Sequence, residues 1–174
     1  MPDNPSPPAV LITGASRGIG ATAARQFAAA GHDLLLLARS APDLDNLAAE
    51  LRALGRRVET ACVDLADATT IAPALTELLT RGLPPGVVIN NAGAAYTGSL
   101  AEMPLDQWQW LLQLNLTSVF QVCQAVLPGL RQRGGGHIIN VSSHAARNAF
   151  PDWGAYCASK AALASFSRCL AEEE

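Results

Sequence analysis

Five short apolar runs alternate with longer stretches of helical pattern along this chain. "AVLIT" at 9–13 precedes "IGATAARQFAAAG", "DLLLLA" at 33–38 precedes "APDLDNLAAELRALG", and "RVETACV" at 57–63 precedes "ADATTIAPALTELLTRG". "GVVIN" at 86–90 precedes a helical stretch from about Leu105 to Arg133, and "GHIINVS" at 136–142 precedes the segment carrying Tyr156. Strands that are apolar throughout are buried on both faces, and each parallel pairing needs a crossover long enough to be a helix. The alternation therefore predicts an α/β fold with a doubly wound parallel sheet. Gly31, Gly55 and Gly82 fall where helix C-caps are expected. Open parallel sheets bind ligands outside the carboxyl ends of their strands, so the chemistry is to be sought just after each apolar run.

The first run leads into "TGASRGIG", Thr13 to Gly20. Glycine permits positive φ and close approach of backbone to a ligand, and the next helix aims its N-terminal amides at the same spot, which favours phosphate. The spacing Gly14-x3-Gly18-x-Gly20 differs from the common GxGxxG fingerprint, and no Gly-Lys-Ser/Thr follows. A pyrophosphate turn is the reading that fits strand before and helix after. The second run ends at Arg39, where a NAD site would place a carboxylate for the ribose 2′-hydroxyl. Arg17 lies in the first turn, and two guanidiniums suit a 2′-phosphate, which points to NADP(H).

After the third run, Asp64 is placed to accept from an adenine amino group, while Asp67 is the better helix N-cap. In "NNAGAA", Asn90 and Asn91 can hydrogen-bond neighbouring backbone, and Ala92 and Gly93 leave room for a flat ligand. Beyond the fifth run, Ser143 stands thirteen residues before Tyr156, and Lys160 four residues after it. On a helix the last two share one face, with Cβ atoms about 5–6 Å apart.

Composition narrows the classes. With 49% hydrophobic and 16% charged residues, the 174-residue chain is globular, and its length suits one domain. A flexible tail over 1–8 and a single nucleotide-binding domain over 9–174 are expected. The net charge of −3 points to no nucleic-acid partner. Cys62, Cys123, Cys157 and Cys169 form no CxxC pair and no metal-ligand spacing, which fits reduced thiols in the cytoplasm and no metal. "MPDNPSPP" lacks the basic and apolar regions of a signal peptide, and no apolar run approaches the ~18 residues of a membrane helix.

Together, "TGASRGIG", "NNAG", Asn115 in "LQLNLTSVF", Ser143 and "YCASK" resemble the short-chain dehydrogenase/reductase family, in order and in spacing. Within it, the chain looks most like NADP(H)-preferring carbonyl reductases, including 3-oxoacyl-(acyl-carrier-protein) reductases. The resemblance implies a Rossmann-type sheet with strand order 3-2-1-4-5, and it implies that the family's strands six and seven are missing from a C-terminally shortened chain. It implies cofactor contacts from Thr13, Gly14, Ser16, Arg17, Gly18, Ile19, Gly20, Arg39, Asp64, Leu65, Asn91, Ala92 and Gly93, with Tyr156 and Lys160. It makes Asn115, Ser143, Tyr156 and Lys160 catalytic, with Asn115 holding a water that links Lys160 to solvent. Ser142 is the rival of Ser143, and the thirteen-residue spacing favours Ser143. The implied activity is NADPH-dependent hydride transfer to or from a small carbonyl or alcohol, with Tyr156 as proton donor or acceptor. The implied assembly is a homo-dimer or homo-tetramer through the long helix near 116–133 and the Tyr156 helix. A non-catalytic nucleotide-binding or assembly module of the same fold stays open as the alternative.

A free tyrosine titrates near ~10, so a phenol working near neutrality needs roughly 4 kcal/mol of preferential phenolate stabilisation. A charge ~4 Å away supplies about 1 kcal/mol in bulk water and about 4 at an effective dielectric of ~20. Lys160 can therefore tune Tyr156 only in a partly dried site, and the small Ala155, Cys157, Ala158 and Ser159 permit such packing. His32 is expected to be solvated, His137 opens a strand, and His144 follows Ser143. Trp108, Trp110 and Trp153 read as core or interface. Glu172, Glu173 and Glu174 place negative charge at the negative end of the last helix, without a glycine cap or a basic last turn, so that helix is expected to continue.

Overall fold

The first two apolar runs form strands buried at every position, β1 (Ala9–Thr13) and β2 (Leu34–Ala38). The structure, a computed structural model, describes residues 7–174. The tail expected over 1–8 therefore lies mostly outside the described residues. Within it, the Pro8 carbonyl accepts from His32 Nδ1 at 2.7 Å, and the His32 ring packs edge-on against Phe27. His32 is thus half-buried and bonded, not solvated as expected, because the turn before β2 folds back onto the start of β1.

With β3 (Val58–Cys62), β4 (Pro85–Asn90) and β5 (His137–Asn140), these strands make one parallel sheet in the order β3-β2-β1-β4-β5. The register sets Leu11 beside Leu35 on one side and Val88 on the other. Alternate residues then feed two cores. Val10, Ile12, Leu34 and Leu36 pack with α1 (Gly18–Ala29) and α2 (Ala41–Ala53). Leu11, Leu35, Leu37 and Val88 pack with α3 (Ala68–Arg81) and with the long helical stretch after β4. That two-faced burial is why the central strands read as unbroken apolar runs. The outer strands do not: β3 carries a half-buried Glu59 and an exposed Cys62, and in β5 Ile139 is 47% exposed. All three glycines end their helices as expected: Gly82 is the C-cap of α3, in extended conformation, and Gly31 and Gly55 take positive φ one residue past the C-caps of α1 and α2.

The stretch read as one helix to Arg133 is three pieces in register: α4 (Leu105–Leu112), a π-helical segment (Gln113–Thr117) and α5 (Ser118–Gln132). The continuous span Leu105–Gln132 is 28 residues long, and by length and composition it could cross a membrane, although polar residues interrupt its apolar sequence throughout. In the fold its apolar face, including Leu111, Val122, Val126 and Leu130, is buried. The last helix, α6 (Gly154–Glu173), packs along α5 through Leu163, Val119 and Cys123. Its acidic end does have a cation, supplied from another element: Arg131 of α5 pairs with Glu174.

Truncating a side chain shared by both neighbours of β1 should be costly. Leu11→Ala is expected to lower unfolding free energy by about 2–5 kcal/mol, while Ile19→Ala, 70% exposed, should change it by less than about 0.5 kcal/mol. Urea unfolding followed by circular dichroism checks the contrast.

Candidate active site

The turn after β1 and the turn after β4 are fastened together. Thr13 Oγ1 accepts from the amides of Asn91 (3.1 Å) and Ala92 (3.0 Å), and Asn91 Nδ2 donates to the carbonyls of Thr13 (3.0 Å) and Gly14 (3.2 Å). This approach leaves no room for side chains. A Cβ on Gly14, which sits at φ +65°, would lie 2.9 Å from Ala92 Cα, and one on Gly20 would lie 2.7 Å from Asn91 Nδ2. Gly18 is also at positive φ, +56°, with open space around it. The extended Arg17 begins α1 without a side-chain cap, so the helix N-terminus faces the turn with free amides.

A cavity of about 700 Å³ opens along the carboxyl ends of the strands. Of the residues expected to hold a cofactor, Gly14, Ser16, Arg17, Gly18, Ile19, Arg39, Leu65, Asn91, Ala92, Gly93, Tyr156 and Lys160 line it. Thr13 and Gly20 stand buried behind its wall. Asp64 is not on that wall, although Val63 and Leu65 are; its Oδ1 accepts from the Ala66 amide at 3.0 Å, which turns the carboxylate onto its own backbone. Asp67 caps α3 as expected, accepting from the Thr69 amide. Sequence reasoning missed Ser40, Asp43, Leu114 and Val141 on this wall; each stands within a few residues of a strand end or of a residue it did select.

The Tyr156–Lys160 end is assembled by several elements. Lys160 is 5% exposed, and its Nζ donates to the Val141 carbonyl at 2.8 Å, just beyond β5. The ammonium lies 5.9 Å from the centre of the Tyr156 ring, so the two share a helix face as the spacing predicted. Trp153 packs edge-on against the same ring with centroids 5.5 Å apart. The helix itself is tied to the sheet by a polar ladder: Asn90 Nδ2 donates to Asn140 Oδ1 (2.8 Å), and Asn140 Nδ2 to Ser167 Oγ (2.9 Å). Asn90 therefore pairs with a side chain rather than with neighbouring backbone as expected. Its other neighbour, Cys123, is buried, and burial pushes that thiol up to about 11.

Asn115 is fully buried on the π-helical segment. Its Oδ1 accepts from the Ala94 amide (3.0 Å), and its Nδ2 donates to the Ala94 carbonyl (2.9 Å) and to Ser159 Oγ (3.0 Å). Both amide protons are thus spent on protein partners, so the side chain is a strut between the loop after β4 and α6. Gly93 backs onto it: a Cβ there would lie 3.1 Å from Asn115 Oδ1 and 3.6 Å from Lys160 Nζ. Of the two serines, Ser142 lines the cavity, whereas Ser143 Oγ accepts from the Ala145 amide at 3.1 Å and caps a short 3-10 turn, His144–Ala146. His144 is exposed and pairs with Asn148.

Residues 8–174 match the short chain dehydrogenase family model. An uncharacterised oxidoreductase of Mycobacterium bovis is 41% identical over 170 residues, covering 94% of this chain and 50% of that protein. A metagenomic short-chain oxidoreductase solved with NADP superposes with a TM-score of 0.89 at 36% identity, over 95% of this chain and 76% of that one. L-sorbose reductase from Gluconobacter frateurii, solved with NADPH and L-sorbose, superposes with a TM-score of 0.91 at 31% identity, over 97% of this chain and 64% of that one. The chain belongs to the short-chain dehydrogenase family. It spans about half the length of the Mycobacterium relative.

Burial lowers the affinity of Lys160 for its proton below the ordinary lysine value of 10.5. Between the lowered folded value and 10.5 the unfolded chain keeps a proton that the native chain has released, so stability must rise with pH there. Urea midpoints measured from neutral pH up to 10.5 should climb in the wild-type chain, and Lys160→Met should flatten the climb.

Proposed function

We propose that this chain is the cofactor-binding and proton-transferring part of an NADP(H)-dependent oxidoreductase acting on a small carbonyl or alcohol. One observation carries the reading: a single cavity is lined by Arg17 and Arg39 beside β1 and β2, and by Tyr156 and Lys160 beside β5. A dinucleotide is a ligand long enough to need both ends. The Cβ-free approach at Gly14 and Gly20 and the uncapped N-terminus of α1 fit a pyrophosphate. The two guanidiniums fit a 2′-phosphate, and no carboxylate stands directly at the end of β2 to accept from a 2′-hydroxyl.

A nicotinamide bound at the β4–β5 end would supply or accept the hydride. The protein's share is the proton. In reduction, Tyr156 Oη donates a proton to the oxygen of the former carbonyl as charge develops there, and Lys160 stabilises the phenolate left behind. That stabilisation is large only in a site poor in water, which the burial of Lys160 favours. Ser143 Oγ accepts from the Ala145 amide, which leaves its own proton available to orient a carbonyl oxygen. Asn115 acts through position, holding α6 against the loop that carries Gly93.

Two variants test the two ends separately. Tyr156→Phe should cut NADPH-dependent turnover by ~10²–10⁴-fold and leave the NADPH dissociation constant unchanged in a fluorescence titration. Retention of more than about a tenth of the rate would remove Tyr156 as the acid. Arg39→Ala should weaken NADPH by about tenfold, the worth of one charged hydrogen bond, with NADH little changed; equal losses would refute the 2′-phosphate assignment. Tight NADPH binding with no turnover across a carbonyl panel would instead identify a non-catalytic nucleotide-binding module.

A further inference from the structure

One charge on the cavity wall is left unused by the two-arginine reading. Asp43 stands in the first turn of α2 and lines the same cavity as Arg17, Arg39 and Ser40. It takes part in none of the ion pairs among the described residues, and neither does either arginine. A carboxylate bridged to Arg39 would be an orienting group for it. An unpaired one is a net negative charge beside the place where two guanidiniums would gather a phosphate.

We propose that Asp43 is a cofactor-selecting residue, whose carboxylate repels the 2′-phosphate and so narrows the preference for NADPH over NADH. The inference rests on the NADP(H) reading above and adds a term of opposite sign to it. Like charges within a Debye length repel, but an open cavity and salt keep the effect modest. The carboxylate is tolerated because it sits at the N-terminus of α2, where negative charge is favoured and Ser40 makes no side-chain cap. It also offers the acceptor that a 2′-hydroxyl needs, four residues beyond Arg39, where the end of β2 would place it. Asp43 therefore penalises one cofactor and serves the other.

The experiment is a pair of fluorescence titrations, NADPH and NADH, on the wild-type chain and on Asp43→Asn. The variant should bind NADPH about three- to tenfold more tightly and NADH no more tightly than before. The gain should shrink between ~0.05 M and ~0.5 M salt, as a screened repulsion must. Asp43→Lys should move further in the same direction. NADPH affinity that is unchanged or weaker in Asp43→Asn, or equal gains for both cofactors, overturns the proposal while a wild-type preference for NADPH leaves the parent reading standing. A wild-type chain that binds neither nucleotide, or prefers NADH, overturns the NADP(H) reading and this inference with it.

Discussion

The contact between the turn after β1 and the turn after β4 sets how closely everything else at the sheet's carboxyl edge can gather. Four hydrogen bonds join Thr13 and Gly14 to Asn91 and Ala92. They hold backbone against backbone at distances only glycine tolerates at positions 14 and 20. The consequence is a groove floored by main chain, with free helix amides at one side and no side chain in the way. Binding of a phosphate there would be preorganised by packing already present in the sheet.

A second fastening builds on the first. The loop leaving Asn91 runs to Ala94, whose amide and carbonyl are both held by Asn115. Asn115 in turn reaches Ser159 on α6, one residue before Lys160. Because π-helical turns aim a residue where regular helix geometry would not, and recur at functional sites, the irregular segment has a mechanical reading. It lets one buried amide serve the loop and α6 at once. The polar ladder from Asn90 through Asn140 to Ser167 holds the same helix from the sheet side. Tyr156 and Lys160 thus sit on a helix anchored from two directions, which is the rigidity that positioning a proton donor demands.

The sheet and its order were legible because burial on both faces writes itself as uninterrupted apolar sequence, as in Leu34–Ala38. The glycine turn was legible because its physical requirement, room for backbone, admits few residue types. Three features were not. The π segment leaves the apolar pattern of Leu111, Leu114 and Val119 intact, so periodicity gives no sign of it. The bonds of Asn115 to Ala94 and Ser159 escaped too, because residue type alone cannot say whether an amide's protons face solvent or protein. Asp43 escaped because the acidic residue was sought at the end of β2; a carboxylate in the first helical turn reaches the same cavity, and only the path of α2 reveals it. The backbone bond of Asp64 was equally hidden: at a strand end, a short acidic side chain has its own backbone within reach.

The central claim is that one dinucleotide spans the carboxyl edge from Arg39 to Lys160. The most direct measurement is a titration of the isotope-labelled chain with NADPH, followed residue by residue in amide NMR spectra. The account predicts shifts at Gly14, Gly18, Gly20, Arg39, Asn91, Gly93, Tyr156 and Lys160, saturating together, with Gly31, Gly55 and Gly134 at the opposite edge unmoved. Shifts confined to the opposite edge, or to the glycine turn without Tyr156 and Lys160, would contradict it.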